Sequence, residues 1–382
     1  MSKNQKESGN IVKDEIQDII GKNIREFCEK KIIPVADEID RDDLIPSRLY
    51  DEMKEQGLLT LTVPQKYGGL GLDYRTYSSV IEIVSEYSAG VALSLEAHNS
   101  LGIAQVMAYG SEELKKIALE AVLSHSSTIA WALTEPRGGS DARGMATVAK
   151  EVGDEYLLTG TKTFITHGYS ARLIVTFAKS EKGITAFLVD GDSPGLKRSK
   201  LEGKLGTRGP DTATLNFDEV RVPASRIIGN AGEGFSQAID VLNGGRIAVG
   251  AMGVGLAIAS LNRCINYSKE REAFGSKLSR FQALRFSIAE IAAETEAAWQ
   301  LVLHAADLRD TNLPHRKEAA MAKYIASQVA MKAARTAVQF LGGYGYFRGT
   351  DAERMYRDAK LLEIGEGTNE VLKMIIAKEI IG

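Results

Sequence analysis

Near Thr128 the helical spacing of apolar residues gives way to short runs of branched and aromatic residues between turns, and near Gly232 it returns. This double switch constrains the fold more than any other feature. The runs are Thr128–Leu133, Thr147–Val152, Tyr156–Thr159, Lys162–Ile165, Leu173–Phe177, Thr185–Val189 and Thr212–Phe217. Their composition predicts strands, and the intervening turns carry Gly and Asp, as in GDE and GTK. Before the block, Val12, Ile16, Ile19, Ile20, Ile24 and Phe27 recur at helix spacing, and Pro34 is expected to stop that run. Further helices are expected over about Ser47–Gln56 (with Gly57 as C-cap), Tyr74–Ser88, Val91–Ala108 and from Ser111 onward. After the block the helices are long: about Phe235–Glu270, Phe281–Arg309 and Lys317–Phe340. A strand block between two helical blocks is neither a doubly wound sheet nor a barrel. The expected fold is α+β and mostly helical: an N-terminal helical domain over 1–127, a middle β-strand domain over 128–234, and a C-terminal domain of four-helix-bundle type over 235–382.

Charge excludes some functions. The 382 residues carry 47 basic and 50 acidic side chains, a net charge of -3, which gives no support for nucleic-acid or acidic-membrane binding. Cys28 and Cys264 lie in apolar helical patterns and read as buried thiols. The histidines (98, 125, 167, 304 and 315) show no metal-ligand spacing, so no metal is expected. The start of the sequence, MSKNQKESGN, is polar and lacks an apolar core or arginine, so no targeting segment is expected. No apolar run reaches the roughly 18 residues of a membrane span. A cytoplasmic location is expected. Gly253 and Gly255 loosely imitate a dinucleotide fingerprint, but they lie inside a helical pattern with no strand before them; close helix packing is the expectation.

The stretch EIGEGTNE, Glu363 to Glu370, joins two helical runs, Asp351–Leu362 and Asn369–Ile381. Thr368 is a suitable N-cap, and Gly365 and Gly367 give the backbone around Glu366 unusual freedom. Locally, Glu366 reads either as a charge complementing the helix dipole or as a general base at the tip of a tight turn.

Other stretches bear on that choice: WALTEPRGGSD (Trp131 to Asp141), KTFITHG (Lys162 to Gly168), REAFG (Arg271 to Gly275), Gln282, QFLGGYGY (Gln339 to Tyr346) and RDAK (Arg357 to Lys360). In this order and spacing, with EIGEGTNE, they resemble the acyl-CoA dehydrogenase family over nearly the whole chain. The resemblance implies FAD as cofactor. Thr134 and Thr166 offer hydroxyls to a flavin edge, Phe164 and Trp131 offer aromatic walls, and Gly138 and Gly139 let backbone N–H groups approach closely. By resemblance Leu133, Thr134, Ser140, Phe164, Ile165 and Thr166 surround the flavin or the thioester arm. Arg271, Phe274, Gln282, Gln339, Gly342 and Gly343 correspond to residues that hold the adenosine end, mostly from a neighbouring subunit, and Thr368 and Glu370 match further FAD contacts. Asn243, Arg246, Gly365, Gly367 and Ser140 are expected near the substrate.

Glu366 matches the family's catalytic base, which takes the α-proton of an acyl-CoA thioester while a β-hydride passes to flavin N5, giving the trans-2-enoyl-CoA. One branch of the family carries its base on the first long helix of the third block; LNGGRIA has Gly245 there and no carboxylate. The resemblance further implies an electron-transfer flavoprotein as acceptor and a homotetramer. Arg137, Phe164, His167 and Gly365 depart from the commonest pattern, and Gly365 stands where straight-chain members often have tyrosine. A flavin oxidase or monooxygenase on the same fold is the alternative, though such relatives often lack the glutamate of this turn. A non-enzymatic nucleic-acid-binding relative would carry a basic C-terminal extension, which this sequence does not show.

Overall fold

The computed structural model describes residues 17–382, so Val12 and Ile16 of the expected first helix lie outside it. Helix α1 covers residues 17–27. Pro34 does not stop it. The backbone widens into a π turn over Cys28–Ile32, tightens to a 3-10 turn over Ile33–Val35 and continues as α2 (Ala36–Asp42). The proline falls in the first turn of the new segment, where its missing N–H costs little. Helices α3 (Ser47–Glu55), α4 (Tyr74–Tyr87), α5 (Ala89–Glu96), α6 (Ile103–Tyr109) and α7 (Glu112–His125) complete the first block. Asp73, Ser88 and Ser111 cap α4, α5 and α7 by accepting from Thr76, Val91 and Leu114.

The sequence reads as one helix across α5 and α6, but a π turn over Ala97–Gly102 joins them. Such turns re-aim side chains. Here His98 and Asn99 point into the core. Ile129 N–H donates to His98 Nδ1 at 3.0 Å, which leaves Nε2 to donate to Leu59 O at 2.9 Å. Asn99 accepts from Leu61 N–H and donates to Leu58 O. The helical block is thereby pinned to the first strand.

The strands are β1 (Ile129–Ala132), β2 (Val148–Val152), β3 (Glu155–Thr166), β4 (Leu173–Ser180), β5 (Gly183–Asp190), β6 (Leu196–Lys200) and β7 (Thr212–Pro223). They form one seven-stranded sheet in the order β1-β4-β2-β3-β7-β6, with β5 pairing β4. The runs Tyr156–Thr159 and Lys162–Ile165 are a single strand, β3. Gly160 marks a bulge inside it, not a turn, because its backbone packs against Thr147, whose Oγ1 would lie 2.4 Å from a Cβ there. The edge strand β6, LKRSK, is basic and half-exposed and gives no apolar signal. Along β4, Val175 and Phe177 face the helices while Ile174 and Ala178 face a second core with Leu158, Phe187 and Leu215.

The last block holds α8 (Gly234–Glu270), a hairpin of β8 (Glu272–Ala273) and β9 (Ser276–Lys277), α9 (Gln282–Asp310), α10 (Arg316–Leu341), α11 (Gly343–Tyr346), α12 (Asp351–Ala359) and α13 (Asn369–Ile381). Among the described residues α8 alone is long and apolar enough to cross a membrane, but 89% of its apolar window is buried inside the protein, so it is the central core helix. Its glycines serve packing, as expected: a Cβ at Gly253 would lie 2.9 Å from Ala326 O of α10, and one at Gly255 would lie 2.1 Å from Glu82 O of α4. Cys28 and Cys264 are buried free thiols.

Candidate active site

Helix α12 runs into a 3-10 turn over Lys360–Glu363, and Thr368 caps α13, its Oγ1 accepting from Val371 N–H at 3.3 Å. Glu366 lies on the turn between them. The unusual backbone is not where the glycines alone would put it. Gly365 has an ordinary φ, Gly367 has φ 103°, and Glu366 itself has φ 54°. A left-handed non-glycine residue costs about 1–3 kcal/mol and persists only where its surroundings over-determine it. Two buried cations do so. Arg246 Nε donates to Glu366 O at 3.3 Å, and Lys323 Nζ donates to Gly367 O at 2.7 Å. Asn243 in turn holds the Arg246 guanidinium at 2.9 Å.

This backbone aims the Glu366 carboxylate inward. Both its oxygens are buried and, among the described residues, accept from no N–H or hydroxyl. They rest on Gly245 of α8, where a Cβ would lie 2.2 Å away. They also face the buried carboxyl of Glu96, the last residue of α5 before the π turn. Ser100 donates to Glu96. Burial raises both carboxyls, and the Glu366 charge raises Glu96 further. The Arg246 and Lys323 charges act the other way on Glu366. Glu96 therefore holds the proton, and Glu366 is the member poised to ionise.

Gly245→Ala tests this packing. The clash falls on the far end of a flexible side chain, so the fold should survive while the carboxylate shifts. A misplacement of about 1 Å costs on the order of 10²-fold in turnover. The expected result is that loss in kcat with a nearly unchanged thermal midpoint; unchanged kcat would show that the carboxylate does not work from this position.

The residues expected around a flavin gather at the ends of β1 and β3. Thr163 N–H donates to Thr134 O at 2.9 Å, which sets Thr134 beside Phe164, Ile165 and Thr166. A bulge between Lys162 and Ile165 throws the Phe164 ring outward, 71% exposed, with φ 58°. Leu133 and Ile165 are buried, so they offer backbone only. Gly139 and Ser140 are exposed on the loop after β1, and a Cβ at Gly139 would meet only Thr134, at 3.9 Å. Trp131 stands edge-on to Phe177 with its N–H toward Gln105, so of the two expected aromatic walls the bared one is Phe164. Beneath this edge Lys162 donates to Glu135 at 2.8 Å and to Leu133 O at 3.1 Å, and Glu135 also accepts from Ala146 and Thr147 N–H.

A second group lies at one end of the bundle, around a cluster of Cys264, Ala337, Phe340, Leu341 and Ala352. Arg271, Gln282, Gln339, Gly342 and Gly343 are all exposed there. Phe274, at the hairpin turn with φ 52°, is 97% exposed. Nothing lies within 4 Å of a Cβ placed at Gly342 or Gly343. Glu370 is exposed in the first turn of α13, whereas the Thr368 hydroxyl is engaged by its cap. Hydroxyls, open glycine backbone and a bared ring in one place, with a guanidinium, amides and a second bared ring in another, suit a flavin and an adenosine diphosphate.

Sequence reasoning missed Glu96, Glu135, Lys162 and Lys323. Glu96 and Lys323 are single charges inside apolar patterns, ALSLEAH and AAMAKYIA, and that is the signal that marks them; Glu135 and Lys162 lie in polar stretches and carry no such mark.

Family models match in three consecutive parts: "Acyl-CoA dehydrogenase, N-terminal domain" over residues 14–126, "middle domain" over 130–220 and "C-terminal domain" over 232–381. An acyl-CoA dehydrogenase of Bacillus subtilis is 41% identical over 371 residues, 96% of this chain and 98% of that one. A 3-(aryl)acrylate reductase of Clostridium sporogenes is 38% identical, over 96% of this chain and 99% of that one. The structure of butyryl-CoA dehydrogenase from Megasphaera elsdenii superposes with a TM-score of 0.93 at 38% identity, covering 96% of this chain and 98% of that one.

Proposed function

The chain belongs to the acyl-CoA dehydrogenase family, a family of enzymes, and from that premise we propose that it oxidises an acyl-CoA thioester between its α and β carbons with Glu366 as the base. One observation carries the assignment: a buried carboxylate that, among the described residues, accepts from no N–H or hydroxyl and faces a carboxylic acid, raised in basicity by burial, at the end of a left-handed turn gripped by two cations. FAD, when bound, supplies the hydride acceptor at its N5. Thr134, Thr166 and the loop through Gly139 and Ser140 hold the flavin edge, and Phe164 covers a face. Arg271, Phe274, Gln282, Gln339, Gly342 and Gly343 hold the adenosine end, for which their exposure at the bundle end speaks. Asn243 and Arg246 orient the turn from the substrate side. Glu366 takes the α-proton and Glu96 excludes water behind it. The proposal extends to an electron-transfer flavoprotein as acceptor and to a homotetramer, both supported by the family resemblance.

The acyl group is the finer question. Relatives at nearly equal identity are named for a butyryl and for an aryl substrate, so relatedness does not choose between them. Gly365 favours a wider pocket. The three atoms nearest to a Cβ there all belong to Leu361, at 3.6 Å or more, and Tyr344 and Tyr346 are largely exposed and do not fill the space. Substituted acyl groups should therefore be favoured over straight ones by a graded ~1–3 kcal/mol per group filled. The test is kcat/KM for isobutyryl-, isovaleryl- and 2-methylbutyryl-CoA against butyryl- and hexanoyl-CoA, in wild type and Gly365→Tyr. The tyrosine should reverse the ranking. Straight chains winning in both proteins would remove Gly365 from specificity, and no turnover of any thioester would remove the proposed reaction.

A further inference from the structure

Lys323 is fully buried on α10, and beyond its contact with the turn the reaction proposed above gives its charge no role. Its backbone packs beside Gly250 of α8, where a Cβ would lie 3.5 Å from Lys323 N, an ordinary contact. The ammonium donates to one carbonyl, Gly367 O. Burying an ammonium costs several kcal/mol, and a single carbonyl offsets that poorly. An apolar side chain of similar length would hold the helices together at least as well. Packing therefore does not account for the charge.

The turn it touches does. Glu366 and Gly367 both have positive φ, and without a partner on the Gly367 carbonyl nothing described here but Arg246 and the Thr368 cap would hold them. The charged groups facing Lys323 are Glu366, Glu363 and Glu370 on the turn and the start of α13, and Arg246 on α8. Glu363 is already paired with Lys360 at 2.6 Å, and Glu370 faces solvent. Those facing Glu366 are Tyr77 on α4, Glu96 on α5, Arg246 and Lys323. The carboxylate thus has a buried acid on one side and two cations on the other.

We propose that Lys323 is a positioning residue for the base: it holds the Glu366–Gly367 turn in its left-handed form and supplies positive charge that keeps the Glu366 carboxylate ionised in a dry site. This rests on Glu366 being the base. Burial brings Lys323 itself down to about 8, with Glu366 opposing the fall, so its charge is present at neutral pH and fades above. Losing that charge raises Glu366. Because the base must be ionised to accept a proton, the acid limb of kcat/KM then moves to higher pH.

Two substitutions separate grip from charge. Lys323→Gln retains a donor for Gly367 O without charge, and Lys323→Met retains neither. In FAD-loaded protein, hydrogen exchange over residues 363–370 should be near wild type in Lys323→Gln and faster in Lys323→Met. The acid limb of kcat/KM should rise by about one pH unit or more in both, with kcat falling more than KM changes. Lys323→Arg should restore much of the limb. An acid limb unmoved in Lys323→Gln, with faster exchange in Lys323→Met, would leave Lys323 a purely structural residue and overturn the inference. Glu366→Gln measured alongside tells the two levels apart: if it is inactive, only the role of Lys323 has failed; if it is active, the base assignment has failed and Lys323 with it.

Discussion

Glu366→Gln is expected to keep its flavin and fold while losing about 10²–10⁴-fold in turnover, the usual cost of removing a general base. The amide is nearly the size of the carboxylate and can still face Glu96, so the turn, its cap and the grips on its carbonyls should persist. What it lacks is a lone pair basic enough to take the α-proton. Wild type should show its own signature. Burial raises Glu366 above its ordinary 4.5, and a base works only when ionised, so kcat/KM should fall on the acid side at a pH above that value. In Glu366→Gln that limb should vanish from the residual rate. Turnover above about a tenth of wild type, well outside the range for a lost base, would place the base elsewhere.

Glu135→Leu is expected to cost about 3–5 kcal/mol of stability, because it strands the Lys162 ammonium in the core of the β-domain. The pair is almost wholly buried, and it ties the end of β1, the middle of β3 and the start of β2 together. Burial pushes Glu135 up, but Lys162 and the N–H groups of Thr147 and Ala146 bring it down to about 2, so it is ionised at any working pH. The double substitution Glu135→Leu with Lys162→Met removes both charges. It should recover most of the loss, and such replacements are neutral or stabilising by about 1–4 kcal/mol in other buried pairs. Denaturant midpoints of Glu135→Leu, Lys162→Met and the double give the coupling directly. A single substitution that costs under about 1 kcal/mol, or a double equal to the sum of the singles, would mean that the pair is not held as described.

The order of helices, strands and helices was legible because long helices such as α8 and α10 keep an unbroken three-to-four spacing. Pro34 misled because a π turn and a 3-10 turn let the chain bend through it, and neither leaves a compositional mark. Gly160 misled in the opposite sense: glycine reads as a turn, yet here it admits the neighbouring strand. The strand β6 was invisible because an exposed basic edge needs no apolar residues. At the site, Glu366 stood out between glycines and the family resemblance pointed to Arg246, but Glu96 and Lys323 did not stand out. Glu96, Arg246 and Lys323 come from three helices, 77 or more residues apart from one another and 43 or more from the base, and only packing shows that they meet.

Anaerobic mixing of the FAD-loaded protein with acyl-CoA thioesters tests the central claim most directly, since it isolates the step in which Glu366 takes the proton. The account predicts that the flavin absorbance bleaches within one turnover in wild type, with a trans-2-enoyl-CoA formed in equal amount, and that Glu366→Gln binds the same thioester without bleaching. Wild-type flavin that stays oxidised with every thioester tried, or bleaching at an unchanged rate in Glu366→Gln, would contradict it.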